Sequence, residues 1–360
     1  MKVPSSALLA YWGFRLSVVA LTLGITLAIS TSAHAQGCVA AHSNQGTMDE
    51  LCDGGAPGSG SGWIHKLTVD VGWRTFSSNK YFVGTKEITR NNAVENHQNI
   101  FDIGVNYQLT PQWSIIADIP VFDGTRNQIY PPTGIYQVGG LGDIMVGAQR
   151  WLFRPPTESN GNVAFSISLK MPTGIDDATG TGLLKGKSVK ATVDPSLQPG
   201  DGTWGFQIGS QAYKQVPFHT MVYFQGEWLF SPEDTNGVPS FRSQPGQGVL
   251  SATDQYLFRA GASHAIPRIR HLSASLGARW EGVPAHDVIG SSDGFRRPGY
   301  ILSLDPGIMY SYRRNVLSVN GPWALKRNRE PSVPEIQNNI WTGDAFFADY
   351  TILVSLSHHF

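Results

Sequence analysis

The sequence lacks several features that would place it in common protein classes, beginning with long apolar runs. Beyond its N-terminal segment, the chain of 360 residues has no uninterrupted apolar run of about 18 residues, the length that a membrane-spanning helix needs. Charged residues are also scarce, at 15%, against roughly 25% in average proteins. Glycine is abundant, with 40 residues. The lack of long apolar runs excludes a bundle of membrane helices.

An excess of charge of one sign is missing as well. The chain has 27 basic and 27 acidic residues. Removing the predicted signal peptide described below takes away Lys2 and Arg15 and no acid, which leaves 25 basic residues against 27 acidic ones and a net charge of −2. This balance gives no reason to expect a nucleic-acid partner.

Cysteine is nearly absent, and its two occurrences lie close together. Cys38 and Cys52 both fall within the first 20 residues of the predicted mature chain. In an oxidising compartment, two such residues most simply form one local disulfide. Without a nearby pair of histidines they lack the spacing of a zinc site, so no metal and no cofactor is expected.

The N-terminal segment has the pattern of a secretory signal peptide. Lys2 and Arg15 precede an apolar run over 16–29, and Ala33-His34-Ala35 then provides a small-x-small cleavage site. We therefore predict a signal peptide over 1–35 and a short periplasmic segment over 36–62. A lipid anchor at Cys38 is the competing interpretation, but the preceding residues lack the large aliphatic side chain usual at such sites.

Alternation of apolar and polar residues is the main structural pattern of the remaining chain, 63–360. In the first predicted strand, Trp63, Leu67, Val69, Val71 and Trp73 share one face. The pattern predicts twelve strands, at about 63–76, 99–109, 113–121, 142–153, 163–171, 204–213, 221–230, 254–265, 272–282, 300–312, 316–322 and 345–360. Segment 316–322 is weakly patterned, and Pro306 predicts a bulge in 300–312.

The connections between these strands alternate strictly between short and long. Such alternation places the short turns at one end and the long loops at the other, as in bacterial outer-membrane barrels. A soluble sandwich has no reason to obey it. Aromatic residues ten apart on one face, such as Tyr300 and Tyr310, also match the height of the apolar band of such a barrel. The predicted fold is all-β: an antiparallel transmembrane barrel of about 12 strands in the bacterial outer membrane.

The C-terminal strand resembles the signal that the barrel-assembly machinery reads. Its outward face carries alternating apolar residues and ends on the last residue of the chain, and these positions are Tyr350, Ile352, Val354, Leu356 and Phe360. We predict that Phe360 is needed for assembly, because a terminal aromatic on the outer face cannot line the lumen.

The inward faces of the predicted strands carry charges of both signs, which makes them candidates for a solute pathway. They are Lys66, Asp70, Arg74, Asp102, Asp118, Asp143, Lys170, Glu227, Arg259, Arg279, Glu281, Asp305 and Asp349. The same charges could pair with one another and fill the lumen. A barrel of twelve strands lies between a filled interior and an aqueous channel, so both interpretations stay open.

Three short motifs carry a resemblance to a known family. They are Asp118-Ile119-Pro120-Val121, Gly140-Leu141-Gly142-Asp143 and Lys170-Met171-Pro172-Thr173-Gly174. They resemble the outer-membrane transporter family of the phenol-degradation (MetA) pathway, over about residues 63–360. The resemblance implies a barrel that takes up aromatic or hydrophobic compounds.

The predicted function is an outer-membrane channel that admits small solutes by passive diffusion. The alternative is a structural or adhesive barrel without transport. An enzyme is not expected, because no nucleophile–base–orienter set is visible. Besides an unidentified small solute, the expected partners are outer-membrane lipid, the barrel-assembly machinery and lipopolysaccharide, for which Lys326, Arg327 and Arg329 are candidate contacts.

Overall fold

The computed structural model describes residues 63–90, 92–153, 160–340 and 345–360. The predicted signal peptide and the predicted Cys38–Cys52 disulfide lie outside the described residues and stay predictions. The strands are β1 (Leu67–Ser78), β2 (Lys80–Val83), β3 (Lys86–Glu87), β4 (Glu95–Gln108), β5 (Trp113–Gln128), β6 (Gly134–Leu141), β7 (Met145–Trp151), β8 (Gly161–Lys170), β9 (Thr179–Leu184), β10 (Lys187–Thr192), β11 (Gly205–Val216), β12 (Thr220–Phe230), β13 (Thr235–Pro239), β14 (Val249–Ser251), β15 (Gln255–Ala265), β16 (Leu272–Val283), β17 (Gly299–Tyr312), β18 (Asn315–Asn320), β19 (Trp323–Arg329), β20 (Ala345–Phe347) and β21 (Ile352–His359). One short α-helix, α1, spans Val333–Gln337, and 3-10 turns span Trp63–Lys66 and Pro195–Leu197.

The described strands form a closed barrel of twelve antiparallel members. Two members are interrupted: β6 and β7 pair in succession with β5, and β18 and β19 pair in succession with β17. The first and last strands close the barrel, since β1 pairs with β21 from Thr68↔His359 to Thr75↔Ile352. Closure removes the exposed sheet edges, whose backbone N–H and C=O groups would have no hydrogen-bond partners in lipid. The predicted fold and its twelve strands are confirmed.

Side chains alternate between lumen and exterior as the sequence pattern requires. On β5, buried Ser114, Ile116 and Asp118 alternate with Trp113, which is 43% exposed, and Ile115, which is 40% exposed. Most large exposed side chains of the barrel wall are apolar and suit hydrocarbon, while most buried ones are polar. The wall is therefore apolar outside and polar inside.

An aromatic belt lies on the outer face where β11, β12, β15, β16 and β17 approach the long loops. Phe206 stacks on Phe230 with ring centroids 4.8 Å apart, and Trp228 stacks on Tyr256 at 5.1 Å. The row continues through Trp280 to Tyr300, at 6.3 Å. Aromatic rings mark the level of the membrane interface in such barrels.

Several predicted strand boundaries were wrong. The first strand begins at Leu67, so Lys66 lies in the preceding 3-10 turn. The predicted loop after 121 is instead a β5–β6 hairpin with a tip at 129–133. The weak eleventh strand is longer than predicted and runs through β18 and β19. The segment 345–360 is not one strand, because β20 leaves the barrel to pair with β2, and β21 begins at Ile352.

No helix among the described residues is both long enough and apolar enough to cross a membrane.

Candidate functional site: the barrel lumen

The barrel lumen collects most of the charged residues predicted to line a pathway. Ten of them stand at lumen-facing positions of barrel strands: Asp70, Arg74, Asp102, Asp118, Lys170, Glu227, Arg259, Arg279, Glu281 and Asp305. Asp143 is also buried and lies in the break between β6 and β7. Lys66 and Asp349 lie outside the barrel strands. Lys66 is exposed beyond β1, and Asp349 pairs with Lys80 at 3.0 Å beside β20.

Many lumen charges are neutralised by ion pairs within one strand, across the lumen wall or with the neighbouring loop. Arg259 Nε lies 2.5 Å from Asp305 Oδ2, and Arg279 Nη2 lies 2.7 Å from Glu281 Oε2. Lys170 pairs with both Asp143, at 3.6 Å, and Asp201. Buried charges require such partners, because an unpaired charge in a low-dielectric interior is costly. These groups therefore belong to a paired lining rather than to a ring of free charges.

The long connection between β8 and β11, residues 171–204, enters the barrel; we call it the inserted loop. Its residues Val193 and Leu197 are 2% and 0% exposed and pack against Phe76, Ile100 and Phe122 of the barrel wall. Gln98 of β4 also donates a hydrogen bond to the carbonyl oxygen of Ser196. Apolar contacts and a wall hydrogen bond thus hold this loop in the lumen.

Asp194 is the charged anchor of the inserted loop. Its carboxylate is 3.1 Å from Arg126 Nη2 of β5 and accepts two hydrogen bonds from Arg297, at 2.8 and 2.5 Å. It also accepts the Ser196 amide at 3.0 Å. Burial alone would raise the pKa of Asp194, but the two guanidinium groups and these hydrogen bonds hold its pKa well below the usual range. The loop is therefore clamped between two parts of the barrel that are far apart in sequence.

The three motifs behind the family resemblance meet at the base of the inserted loop. Asp143 accepts the amides of Gly174, at 2.9 Å, and Asp201, at 3.0 Å, so one carboxylate holds both ends of the loop. Thr173 Oγ1 accepts the Ile144 amide at 2.8 Å. The Gly142 amide donates to Pro120 O at 2.8 Å. The motifs therefore form a structural joint.

Two glycines of this joint are required by close approach. A Cβ on Gly174 would lie 2.8 Å from backbone atoms of Gly142 and Gly200. A Cβ on Gly142 would lie 2.9 Å from Pro199 O and 3.0 Å from Pro120 Cγ. Only residues without a Cβ permit the loop ends to pack this closely on the strand break.

A cavity of about 160 Å³ lies between the inserted loop and the barrel wall. Its apolar lining includes Phe122, Leu229 and Phe295. Its charged lining includes Lys170 and Arg297. A cavity that combines aromatic and aliphatic walls with polar and charged groups suits a small organic molecule that carries polar atoms.

Three residues of the anchor were not among the predicted site residues: Arg126, Asp194 and Arg297. Arg126 and Asp194 fall in segments predicted to be external loops, and Arg297 lies just before a strand. Of the three basic residues proposed to contact lipopolysaccharide, only Lys326 is exposed. Arg327 bonds Asp349, and Arg329 is 1% exposed with Glu335 2.9 Å away.

Possible metal ligands do not cluster in the described part of the chain. No group of three or more His, Cys, Asp or Glu residues there could hold a metal ion. His271, in the short turn before β16, has a positive φ of 68° and contacts Tyr312 edge-on, with ring centroids 6.4 Å apart.

Comparison with solved structures finds barrels of bacterial outer membranes. An outer membrane channel from Pseudomonas putida F1 matches with a TM-score of 0.56 and 12% sequence identity, covering 85% of this chain and 100% of that chain. More distant matches are the beta domain of the Bordetella autotransporter BrkA (TM-score 0.45, 13% identity, 81% of this chain and 100% of that one) and the Pseudomonas putida toluene transporter TodX (TM-score 0.42, 9% identity, 82% and 90%).

The first of these matches and the closed sheet agree on the class of protein. The chain is a twelve-strand β-barrel of the bacterial outer membrane. No protein-family model matches its sequence, and no curated protein matches it. The phenol-degradation family therefore stays a resemblance.

Proposed function

We propose that this barrel is a channel through which small solutes cross the outer membrane by passive diffusion, with the inserted loop setting the constriction. The observation that carries the proposal is the cavity between the loop and the wall. A purely structural barrel has no need of an internal cavity lined by both its wall and a clamped loop. The fold likeness to an outer membrane channel is compatible with this function.

The cavity lining supports small organic molecules as the solute class. Phe76, Ile100 and Phe122 offer an apolar surface, and Gln98 and Gln255 add hydrogen-bonding groups. Such a mixture suits compounds with an apolar body and polar atoms. The family resemblance points in the same direction, toward aromatic or hydrophobic compounds.

The alternative, a structural or adhesive barrel, is supported by the paired lining and the inserted loop. Both reduce the open section of the lumen. Outer-membrane loops also provide surfaces for other partners. A channel lets solute cross the outer membrane, and a structural or adhesive barrel does not.

Purified barrel in planar bilayers separates them. We expect small, discrete conductance steps for the natural protein and larger steps when the inserted loop is released by Asp194→Asn. A deletion strain should also take up small apolar compounds more slowly than its parent. No conductance from either protein, together with unchanged uptake of apolar and polar solutes in the deletion strain, would discard the channel.

A further inference from the structure

A second feature of the lumen lies below the inserted loop, on the wall formed by β5, β7, β8, β11 and β12. The neighbouring inward positions here carry very small residues: Gly147, Ser166, Ser168 and Gly209. The strand registers place them together, since Ser166 pairs with Gly209 and Ser168 with Gly147. The wall is therefore recessed and leaves a cavity of about 40 Å³, which we call the glutamine hollow.

Four glutamines surround this recess: Gln149, Gln207, Gln211 and Gln225. In that order, these residues are 4%, 9%, 6% and 3% exposed. Gln211 and Gln225 are direct cross-strand partners on β11 and β12. The hollow is thus lined by primary amides that are removed from bulk water.

Glu227 fixes the orientation of two of these amides. Its Oε2 accepts Gln207 Nε2 at 2.9 Å, and its Oε1 accepts Gln225 Nε2 at 2.9 Å. Because both NH₂ groups are directed at the carboxylate, the two Oε1 atoms are left as acceptors. Neither Oε1 atom has a hydrogen-bond partner among the described residues.

The other two glutamines contribute the opposite kind of group. Gln149 Nε2 and Gln211 Nε2 are buried donors that make no hydrogen bond to any residue the structure describes. Buried amide groups nearly always have partners, because leaving them unpaired costs the full desolvation penalty. Two buried donors and two buried acceptors without partners therefore favour a ligand group that both donates and accepts hydrogen bonds.

We propose that the glutamine hollow binds the hydroxyl or carboxamide group of an uncharged solute. A hydroxyl donates one hydrogen bond and accepts others, which matches the two kinds of vacant amide atom. The cavity has room for such a group, being a few times the volume that one water needs. The proposal rests on the proposed function in that the solute reaches the hollow through the lumen.

Ions fit the hollow less well. The carboxylates of Glu227 and Asp118 disfavour an anion. A cation cannot accept hydrogen bonds, so it would leave the donors Gln149 Nε2 and Gln211 Nε2 unpaired. The Glu227 carboxylate is also already occupied by two amides. Ile116, Met145 and Ala164 add an apolar border that suits the carbon skeleton next to the polar group.

Three probes of similar size test the chemical class: cyclohexylmethanol, cyclohexylmethylammonium and cyclohexanecarboxylate. Their binding to the folded barrel in detergent is followed by ligand-observed NMR, with empty micelles as the blank. We expect the natural protein to bind the alcohol about tenfold more tightly than either ion, the effect of one to two hydrogen bonds. The double variant Gln211→Leu/Gln225→Leu should lose this preference.

Two further variants control the result. Gln108→Leu removes an inward glutamine of β4 outside the hollow and should keep the preference for the alcohol. Glu227→Gln keeps the size of the side chain but can no longer hold both amides in one orientation, so the preference should fall. Heat-modifiable migration on gels shows for each variant that the barrel is folded.

The outcomes separate this proposal from the channel itself. Tighter binding of the ammonium would overturn the proposal in favour of a cation site. Equal binding of all three probes to natural and double-variant protein would show that the hollow holds water only. Because binding is measured without transport, a preference for the alcohol supports the binding proposal even if the barrel does not conduct. Conductance without that preference would support the channel and overturn the proposal for the glutamine hollow.

Discussion

At the residue scale, Asp194 is a charged anchor that no sequence pattern singled out. Its carboxylate joins Arg126 and Arg297, and all three residues are at least 93% buried. Breaking a buried ion pair by removing one partner typically costs about 3–5 kcal/mol, because the remaining charge is uncompensated. Here two guanidinium groups would remain.

We therefore predict that Asp194→Asn releases the inserted loop without unfolding the barrel. The strands are held by their own ladders, whereas the loop depends on this anchor and on apolar contacts. Limited proteolysis should cut within 177–201 at least several times faster in the variant than in the natural protein. Asp177→Asn, an exposed position of the same loop, serves as control. Equal cleavage of both variants would contradict the role of the anchor.

The depressed pKa of Asp194 has a consequence for pH dependence. A carboxyl whose folded pKa lies below its unfolded value of about 3.9 stabilises the folded state fully above that value. This stabilisation is lost only as the pH falls further, toward the folded pKa. Hydrogen–deuterium exchange, corrected for its intrinsic pH dependence, should show the Asp194 segment equally protected at pH 8 and pH 5. Loss of protection between pH 6 and pH 5 would show that another group controls the loop.

Phe360 sets a second residue-scale prediction. Its amide donates to Leu67 O at 3.0 Å, and its ring packs edge-on against His358 on the outer face. Burying a phenylalanine side chain is worth about 1.5–3 kcal/mol, too little to abolish a large barrel by stability alone. Deleting Phe360 should nevertheless sharply reduce folded barrel in the outer membrane, measured by heat-modifiable migration. Normal folded levels would remove the terminal aromatic as an assembly signal.

The charged lining shows how far residue-level prediction reaches. Alternation alone identified Asp118, Glu227 and Asp305 as inward-facing, because parity along a strand fixes the face. It could not find Asp194 with Arg297, which are separated by 103 positions and lie in no regular pattern. Side chains that meet through an inserted loop have no local sequence signature.

At the element scale, the largest error concerns the β5–β6 hairpin. Residues 122–128 were predicted to form a loop because they lack apolar–polar alternation, with Asp123 and Asn127 facing outward. These positions continue a strand that pairs with β6 as far as Gln128↔Gly134. Above the apolar band the outer face meets water, so the alternation that identifies a membrane strand ends before the strand does.

The C-terminal segment was misread for the opposite reason. Residues Ala345–Ala348 are apolar and buried without alternation, because β20 packs inside a small sheet with β2. Because these residues are apolar, the predicted last strand included them, although they lie outside the barrel strands. The break at Gly321-Pro322, between β18 and β19, likewise shortened the predicted eleventh strand.

The joint at the base of the inserted loop gives an element-scale prediction. Adding a Cβ at Gly174 would place it 2.8 Å from two backbone positions, so the loop end must move. We expect Gly174→Ala to loosen residues 172–203 and to increase the conductance in planar bilayers. Gly248→Ala is the matched control, since a Cβ there has no neighbour within 4 Å among the described residues. An unchanged conductance in Gly174→Ala would show that the base tolerates the shift.

At the scale of the whole molecule, the barrel wall separates apolar side chains on its outside from charged and polar side chains on its inside. Exposed Val71, Phe101 and Ile167 face outward, while the ion pairs and glutamines face the lumen. Twelve strands leave limited space between these linings. The inserted loop reduces that space further. In the proposed channel, a solute would therefore pass close to paired charges rather than through bulk water.

This separation predicts weak charge selectivity for the proposed channel. Arg259 with Asp305, Arg279 with Glu281, and Lys170 with Asp143 largely cancel one another's fields along the lumen. The reversal potential in a tenfold KCl gradient should therefore lie near zero. Asp305→Asn removes the acid next to Arg259 and should shift the channel toward anions.

The control for selectivity is Asp123→Asn, which removes an equal charge from an exposed outward position of β5 and should leave the reversal potential unchanged. Heat-modifiable migration shows that the Asp305 variant still forms a barrel, which matters because unpairing a buried arginine costs stability. A strongly cation-selective or anion-selective natural protein would mean that charges other than these pairs dominate the field. The same shift in both variants would place the selective region in the external loops rather than in the lumen.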